Sequence, residues 1–362
     1  MKWQALPGPA KFINDSLQQI RDGSCVVVAT PSRVPSGFED TFIDLLRHDR
    51  CRLQQVAVNS RQDPLRLLTE DLYLEPENWV RWNVEKFYER LESGEVIAVG
   101  GVDDSNWDAW RQFLRDFEVT SRRRQSDERA VLLVFVRGVP RRSLQIEGAA
   151  LGVRFWSGIV TELDALLYAD QQLRGKRAPA RYHKLVVRQI AALALWDFDL
   201  ADFLANRPER ELFATQDVLS AARAQRAVTG PPNWENGGLD FFDGAERLHS
   251  FVLIEQGDEA NELGRRVWTA QAAELFPLIE VRRRALAKDL QRHVVCPLWI
   301  DSDRKVDSLD ELEIGSLAHV ARTKRVPAAL LKRAEWLANC RNTLAHLSVL
   351  ACDDALDSRL YE

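Results

Sequence analysis

The apolar positions of the chain change period once along its length. Through the first 172 residues, short runs rich in β-branched side chains recur between amphipathic stretches: Ser24–Thr30 (SCVVVAT), Leu53–Asn59 (LQQVAVN), Glu95–Gly100 (EVIAVG), Val131–Val136 (VLLVFV) and Val153–Trp156 (VRFW). Runs as continuous as VVV and VLLVFV offer no polar face to water. They predict strands of a parallel sheet covered on both sides. Helices are predicted between them, at Glu39–Arg47, Val84–Leu91 and Trp107–Phe117.

Beyond a polar break, LRGKRAPAR at Leu173–Arg181, the spacing becomes three and four. Leu185–Trp196, Asp258–Leu290 and Pro327–Leu347 predict helices, and no segment among them makes a convincing sheet. The expected fold class is α/β plus all-α: a parallel-sheet domain over 1–172, a linker over 173–183 and a helical bundle over 184–362. The Gly-, Pro- and Asn-rich stretch Pro231–Gly244 (PPNWENGGLDFFDG) predicts neither helix nor strand. Asp258–Leu290 starts acidic and ends basic, as a helix dipole favours, and Pro277 is expected to kink or divide it. The closing helix should start at Pro327 and bury Leu330, Leu331, Ala334, Leu337, Cys340 and Leu344.

Composition narrows the partners. A chain of 362 residues exceeds one typical core, and 46% apolar with 28% charged residues is the balance of a folded protein. A net charge of −5 disfavours tight sequence-independent binding to duplex nucleic acid. The five cysteines are odd in number and widely spaced, without a CxxC pair, which argues against a disulfide framework and against zinc. The start, MKWQALPGPAKF, has no continuous apolar segment of the secretory kind, and no later run is long enough to span a bilayer. A cytoplasmic protein with no cofactor, metal or membrane partner is the expectation.

The strand SCVVVAT stands where a P-loop protein turns into its glycine-rich cradle. That cradle needs GxxxxGK[ST], because backbone amides, a lysine and a hydroxyl together hold the phosphates and Mg²⁺. Here the strand is followed by Pro31-Ser32-Arg33-Val34-Pro35-Ser36-Gly37-Phe38, and two prolines remove two amides. ATP hydrolysis by that route is not expected. Arg33 reads as a solvated loop residue. Asp103 and Asp104, past the strand in EVIAVGGVDDSNWDAW, stand where a Walker B acid would, and read as a turn and helix cap rather than as metal ligands. The order GSCVVVATP, VGGVDDSNWDAWRQFLRDF, VLLVFVRGVP resembles a degenerate STAND-type P-loop ATPase over roughly residues 8 to 170. The resemblance implies a P-loop-like domain that acts as a regulatory or assembly part of a prokaryotic conflict system.

In the closing helix, WLANCRNTLAHLSVL contains Arg341-Asn342-Thr343-Leu344-Ala345-His346. This R-polar-x3-H run in helical surroundings resembles a HEPN domain. The resemblance implies a metal-independent ribonuclease site shared across a homodimer, with His346 moving a proton and Arg341 stabilising the phosphorane; in that reading Asn342, four positions before His346, would orient it. Residues five apart lie about 140° apart around a helix, so Arg341 and His346 converge on one phosphate only through long side chains or a second subunit. Asn342 and His346 share a face, and a purely structural role fits the run as well.

Two further stretches are candidates for partner binding: Arg122-Arg123-Arg124 in a polar loop, and Trp234 within Pro231–Gly244. Arg282-Arg283-Arg284 reads as a solvated helix face, and the histidines other than His346 have no ligand spacing to one another. The expected function is a regulatory or adaptor component of an antiviral-defence or conflict system, engaging protein partners without nucleotide hydrolysis. The alternatives are a HEPN-type endoribonuclease acting on RNA through Arg341 and His346, and a nucleotide sensor without turnover.

Overall fold

The computed structural model describes residues 2–49, 51–58, 62–74, 82–146, 148–174, 181–224, 230–258, 260–299 and 305–362. The chain forms two compact units interleaved in sequence. The first comprises Met1–Tyr168, Leu195–Leu200 and Arg223–Val252, the second Ala169–Ala194, Ala201–Ala222 and Leu253–Glu362. The expected linker begins inside a helix that runs to Arg174, and residues 175–180 of it lie outside the described residues.

The first unit carries β1 (Cys25–Thr30), β2 (Arg52–Ala57), β3 (Glu95–Asp103), β4 (Val131–Arg137) and β5 (Leu151–Phe155). All pairings are parallel, in the order β2-β3-β4-β1-β5. Every residue of β1 is buried, and in β4 only Arg137 is exposed. Both faces are therefore covered, which is why these strands read as unbroken apolar runs. The edge strand β2 buries only Val56. The helices around the sheet are α1 (Pro7–Arg21), α2 (Phe38–His48), α3 (Pro64–Asp71), α4 (Val84–Arg90) and α5 (Trp107–Ser121), and α6 (Glu162–Arg174) follows β5 and runs on into the second unit. α5 buries Trp107, Trp110, Phe113, Leu114 and Phe117, a helical stripe that packs on β3 and β5. This is the parallel, P-loop-like α/β architecture expected from the sequence.

Two details shape the carboxyl end of this sheet. The β3–β4 register shifts between Val99 and Val102, where Gly101 takes a φ of 84°. That bulge, which the Gly100-Gly101 pair permits, lets the ladder resume as far as Asp103 opposite Arg137. The stretch expected to be irregular contains a strand: β6 (Leu239–Phe242) pairs antiparallel with β7 (Ala245–Leu248). Its two turn residues, Asp243 (φ 48°) and Gly244 (φ 75°), both lie in the left-handed region, as an Asp-Gly hairpin requires.

The second unit is helical, built on α7 (His183–Ala194), α8 (Phe198–Ala205, which starts in the first unit), α9 (Glu209–Phe213), α10 (Thr215–Arg223, whose last residue falls in the first unit), α11 (Ser250–Gln256, which also starts in the first unit), α12 (Glu262–Leu290), α13 (Ile314–Thr323), α14 (Ala328–Ala345), α15 (Cys352–Ala355) and α16 (Ser358–Tyr361). It also holds a two-residue antiparallel pair, β8 (Leu298–Trp299) with β9 (Lys305–Val306), where no sheet was expected. α12 packs on α7 and α14, and α13 on α14, around Leu275, Ile279, Leu286, Leu317, Leu337 and Leu344. Pro277 does not divide α12. Buried Leu275 and Ile279 anchor the helix on both sides of it, and that packing offsets the missing backbone bond.

Candidate functional site at the carboxyl end of the parallel sheet

In open parallel sheets, ligands bind in the crevice outside the carboxyl ends of the strands. Here that crevice is bordered by the loop Pro31–Gly37, between β1 and α2. Pro31 and Pro35 have no N–H. The Ser32 N–H donates to the Glu235 carbonyl at 2.7 Å. Gly37 turns the chain into α2 with a φ of 72°, and the first helical turn carries Glu39 and Asp40. Carboxylates suit the positive end of the helix dipole, and they repel a phosphate from the same place. Arg137 donates to Glu39 at 2.5 Å. The Glu39 carboxylate lies across the end of β3, where a β-carbon at Gly100 would stand 2.6 Å from its Oε2.

Asp103 forms a turn. Its Oδ1 accepts the Ser105 N–H at 2.9 Å and the Ser105 hydroxyl at 2.6 Å, while its own N–H donates to Asn106 Oδ1 at 3.0 Å, just before α5.

Beside the loop lies a cavity of about 370 Å³. Its lining includes Arg33 from the loop, Arg137 from the end of β4, Trp196, Asp197 and Asp199 from the segment before and at the start of α8, and His249 after β7. His249 is buried. Its Nδ1 accepts the Phe251 N–H at 3.1 Å, so the neutral ring carries its proton on Nε2 and donates it toward Asp197 at 3.2 Å. Arg33 is half-buried rather than solvated, with its guanidinium 6.0 Å from the Phe251 ring centre. Asp197 and His249 are 52 positions apart, and no local motif announces their meeting.

The candidate partner-binding residues are engaged within the chain. Trp234 is buried, donates from Nε1 to the Trp156 carbonyl at 3.2 Å and has the Arg141 guanidinium over its ring at 4.7 Å. Nearby, burial raises the pKa of Asp240, opposed by hydrogen bonds from Ser157 and from the Phe241 and Gly158 amides, with Arg141 also lowering it. Arg122 pairs with the buried Glu118 at 3.0 Å, Arg123 with Glu85, and Arg124 lies 4.8 Å from the Tyr88 ring centre. The Arg122 and Arg123 side chains are nevertheless 45% and 62% exposed.

In the second unit, Arg341, Asn342 and His346 sit at the carboxyl end of α14. Arg341 approaches Asn342 Oδ1 at 3.4 Å and Glu313 at 3.5 Å, so a carboxylate competes with any phosphate for the guanidinium. His346 is exposed, lies one residue past the helix and is joined to Asn342 through its backbone N–H, at 2.9 Å from the Asn342 carbonyl. Behind it the Leu347 N–H bonds the Leu344 carbonyl and the Ser348 N–H the Thr343 carbonyl, the paired bonds of a Schellman ending. Such an ending needs left-handed backbone at Leu347, which has a φ of 57° and an exposed side chain. Leu347→Gly should therefore raise the unfolding free energy by about 0.5–1 kcal/mol, read as a higher urea midpoint at unchanged slope. A lower midpoint would show that the leucine side chain contributes more than the strain costs. Trp268 Nε1 donates to the Leu344 carbonyl at 2.7 Å and helps close the same helix end.

Burial pushes the Cys25 and Cys340 thiols up to about 12, away from thiolate chemistry. Among the described residues no helix is long and apolar enough to cross a membrane.

Fold and site together define a chain with a P-loop-like parallel α/β unit, whose first loop lacks the phosphate-binding sequence, and a helical unit. No family model and no curated protein matches the sequence. Among solved structures, the chain is similar to the ORC2 protein of Aeropyrum pernix, described in ADPNP–ADP complexes, at 12% identity and a TM-score of 0.30, over 97% of this chain and 92% of that one. It is similar to the RuvB Holliday junction branch migration motor of Thermotoga maritima at 10% identity and a TM-score of 0.29, over 68% and 93%. A DNA replication initiation factor matches at 10% identity and 0.29, over 97% and 92%.

Proposed function

We propose that this chain is a regulatory or adaptor component that works by protein–protein contact and does not hydrolyse nucleotide. The loop from Pro31 to Gly37 carries the reading. Two of its positions have no amide, the Ser32 amide is held by the Glu235 carbonyl, and Glu39 and Asp40 occupy the helix terminus that would otherwise receive a phosphate. A prokaryotic defence or conflict assembly as the setting rests on the sequence resemblance to inactive STAND modules.

The test is phosphate release by the purified full chain with ATP and Mg²⁺. The expected rate equals that of buffer. Turnover that disappears when residues within Pro31–Gly37 are replaced would overturn the reading.

A further inference from the structure

The cavity beside the Pro31–Gly37 loop has aromatic and charged walls, and its charges are already matched inside the chain. Arg137 is held by Glu39 at 2.5 Å, His249 donates to Asp197 at 3.2 Å, and the Ser36 hydroxyl donates to Asp199 at 3.4 Å. Arg33, Asp197 and Asp199 each have further partners in the chain. Arg33 and Arg137 contribute two positive charges, Asp197 and Asp199 two negative ones, and Glu39 stands behind Arg137. The site therefore presents donors and acceptors of both kinds without a net positive field. A polyphosphate entering it would have to displace Glu39 from Arg137 and compete with the existing partners of Arg33, beside the carboxylates of Asp197 and Asp199.

What such a cavity suits is a planar, uncharged ring with hydrogen-bonding edges. Trp196 is only half-buried and lines the cavity, with the ring of His249 edge-on to it at 5.8 Å and that of Phe242 tilted against it at 6.5 Å, and the part of the indole that faces the cavity is the surface on which a ring could stack. The volume of about 370 Å³ falls within the range of small-ligand pockets. We propose that this cavity binds a nucleoside, with the base against Trp196 and its polar edges toward Asp199 and Arg33, and that it discriminates against the corresponding nucleotides. The inference takes from the proposed function that the loop does not cradle a triphosphate. It adds the class of small molecule that would set the state of the α/β unit.

Isothermal titration of the full chain with adenosine, guanosine, cytidine and uridine tests it, beside AMP and ATP with Mg²⁺. The expected result is one-to-one binding of at least one nucleoside, weakened about tenfold or more in Trp196→Ala and in its monophosphate. Far-UV circular dichroism reports whether Trp196→Ala is folded. If it is not, Asp199→Asn takes its place with the same expected loss. Absence of binding by all four nucleosides up to about 5 mM, equal binding by the variant, or tighter binding of AMP or ATP than of any nucleoside would overturn the proposal. ATP turnover is read separately, so a failure here is distinct from a failure of the non-hydrolysing reading.

Discussion

Arg283→Met is expected to lower the unfolding free energy by about 3 kcal/mol, the largest loss from any single residue of the Arg282–Arg284 cluster. The sequence presents that cluster as a solvated helix face. In the folded chain the Arg283 side chain is only 10% exposed. Its Nη1 donates to the carbonyls of Asp310 at 2.9 Å and Leu312 at 2.8 Å, while Nε and Nη2 hold Glu280 at 2.8 and 2.7 Å. Methionine fills similar space with no donor, so two carbonyls of the segment entering α13 lose their partner. Glu280, half exposed, can turn to water and adds little to the loss. Arg284 bonds the same Glu280 at 3.3 Å but is 71% exposed, and Arg284→Met should cost under about 0.5 kcal/mol. Urea unfolding of both variants at constant slope checks the contrast. Equal losses would mean that the Asp310 and Leu312 carbonyls find water as readily as Glu280 does.

The same residue shows what sequence pattern can and cannot convey. Strands such as β1 and β4 were legible because burial on both faces leaves no room for a polar side chain, so the apolar run itself marks the element. α5 was legible because its aromatic residues repeat at three and four. Arg283 was not, because a guanidinium is buried only if distant carbonyls converge on it, and those carbonyls lie 27 and 29 positions away. The β6–β7 hairpin was missed for another reason. Pro, Gly and Asn dominate the stretch as a whole, yet the local Asp243-Gly244 pair between apolar residues carried the signal for a two-residue turn.

The candidate site divides along the same line. The loss of the phosphate cradle could be read from Pro31 and Pro35 alone, since a proline has no amide in any fold. The cavity beside that loop could not. It gathers side chains from the loop after β1, from the end of β4, from Trp196–Asp199 and from His249, segments that only tertiary structure brings together. Arg341, Asn342 and His346 were found as a motif, but their setting was hidden: Glu313 beside Arg341, and a helix that ends before His346.

That setting rests on Gln271, and Gln271→Leu is expected to cost about 2–4 kcal/mol. The Gln271 amide is fully buried in α12, donating to the Leu350 carbonyl at 3.2 Å and accepting the Leu350 N–H at 2.7 Å. It thus satisfies both backbone groups of one residue, four positions past His346. Leucine is of similar size and would leave the donor and the acceptor without partners in an apolar surround, where each orphaned group costs about 1–3 kcal/mol. The loss should be focused as well as large. Amide exchange at Leu350 should speed up by a greater factor than exchange in the Leu185–Ala194 part of α7, because the segment after α14 loses its tether while the bundle core of Leu275, Leu337 and Leu344 is untouched. Uniform acceleration across the unit would instead show that Gln271 supports the whole bundle, and an unchanged Leu350 amide would show that Trp268, through the Leu344 carbonyl, suffices to hold the end of α14.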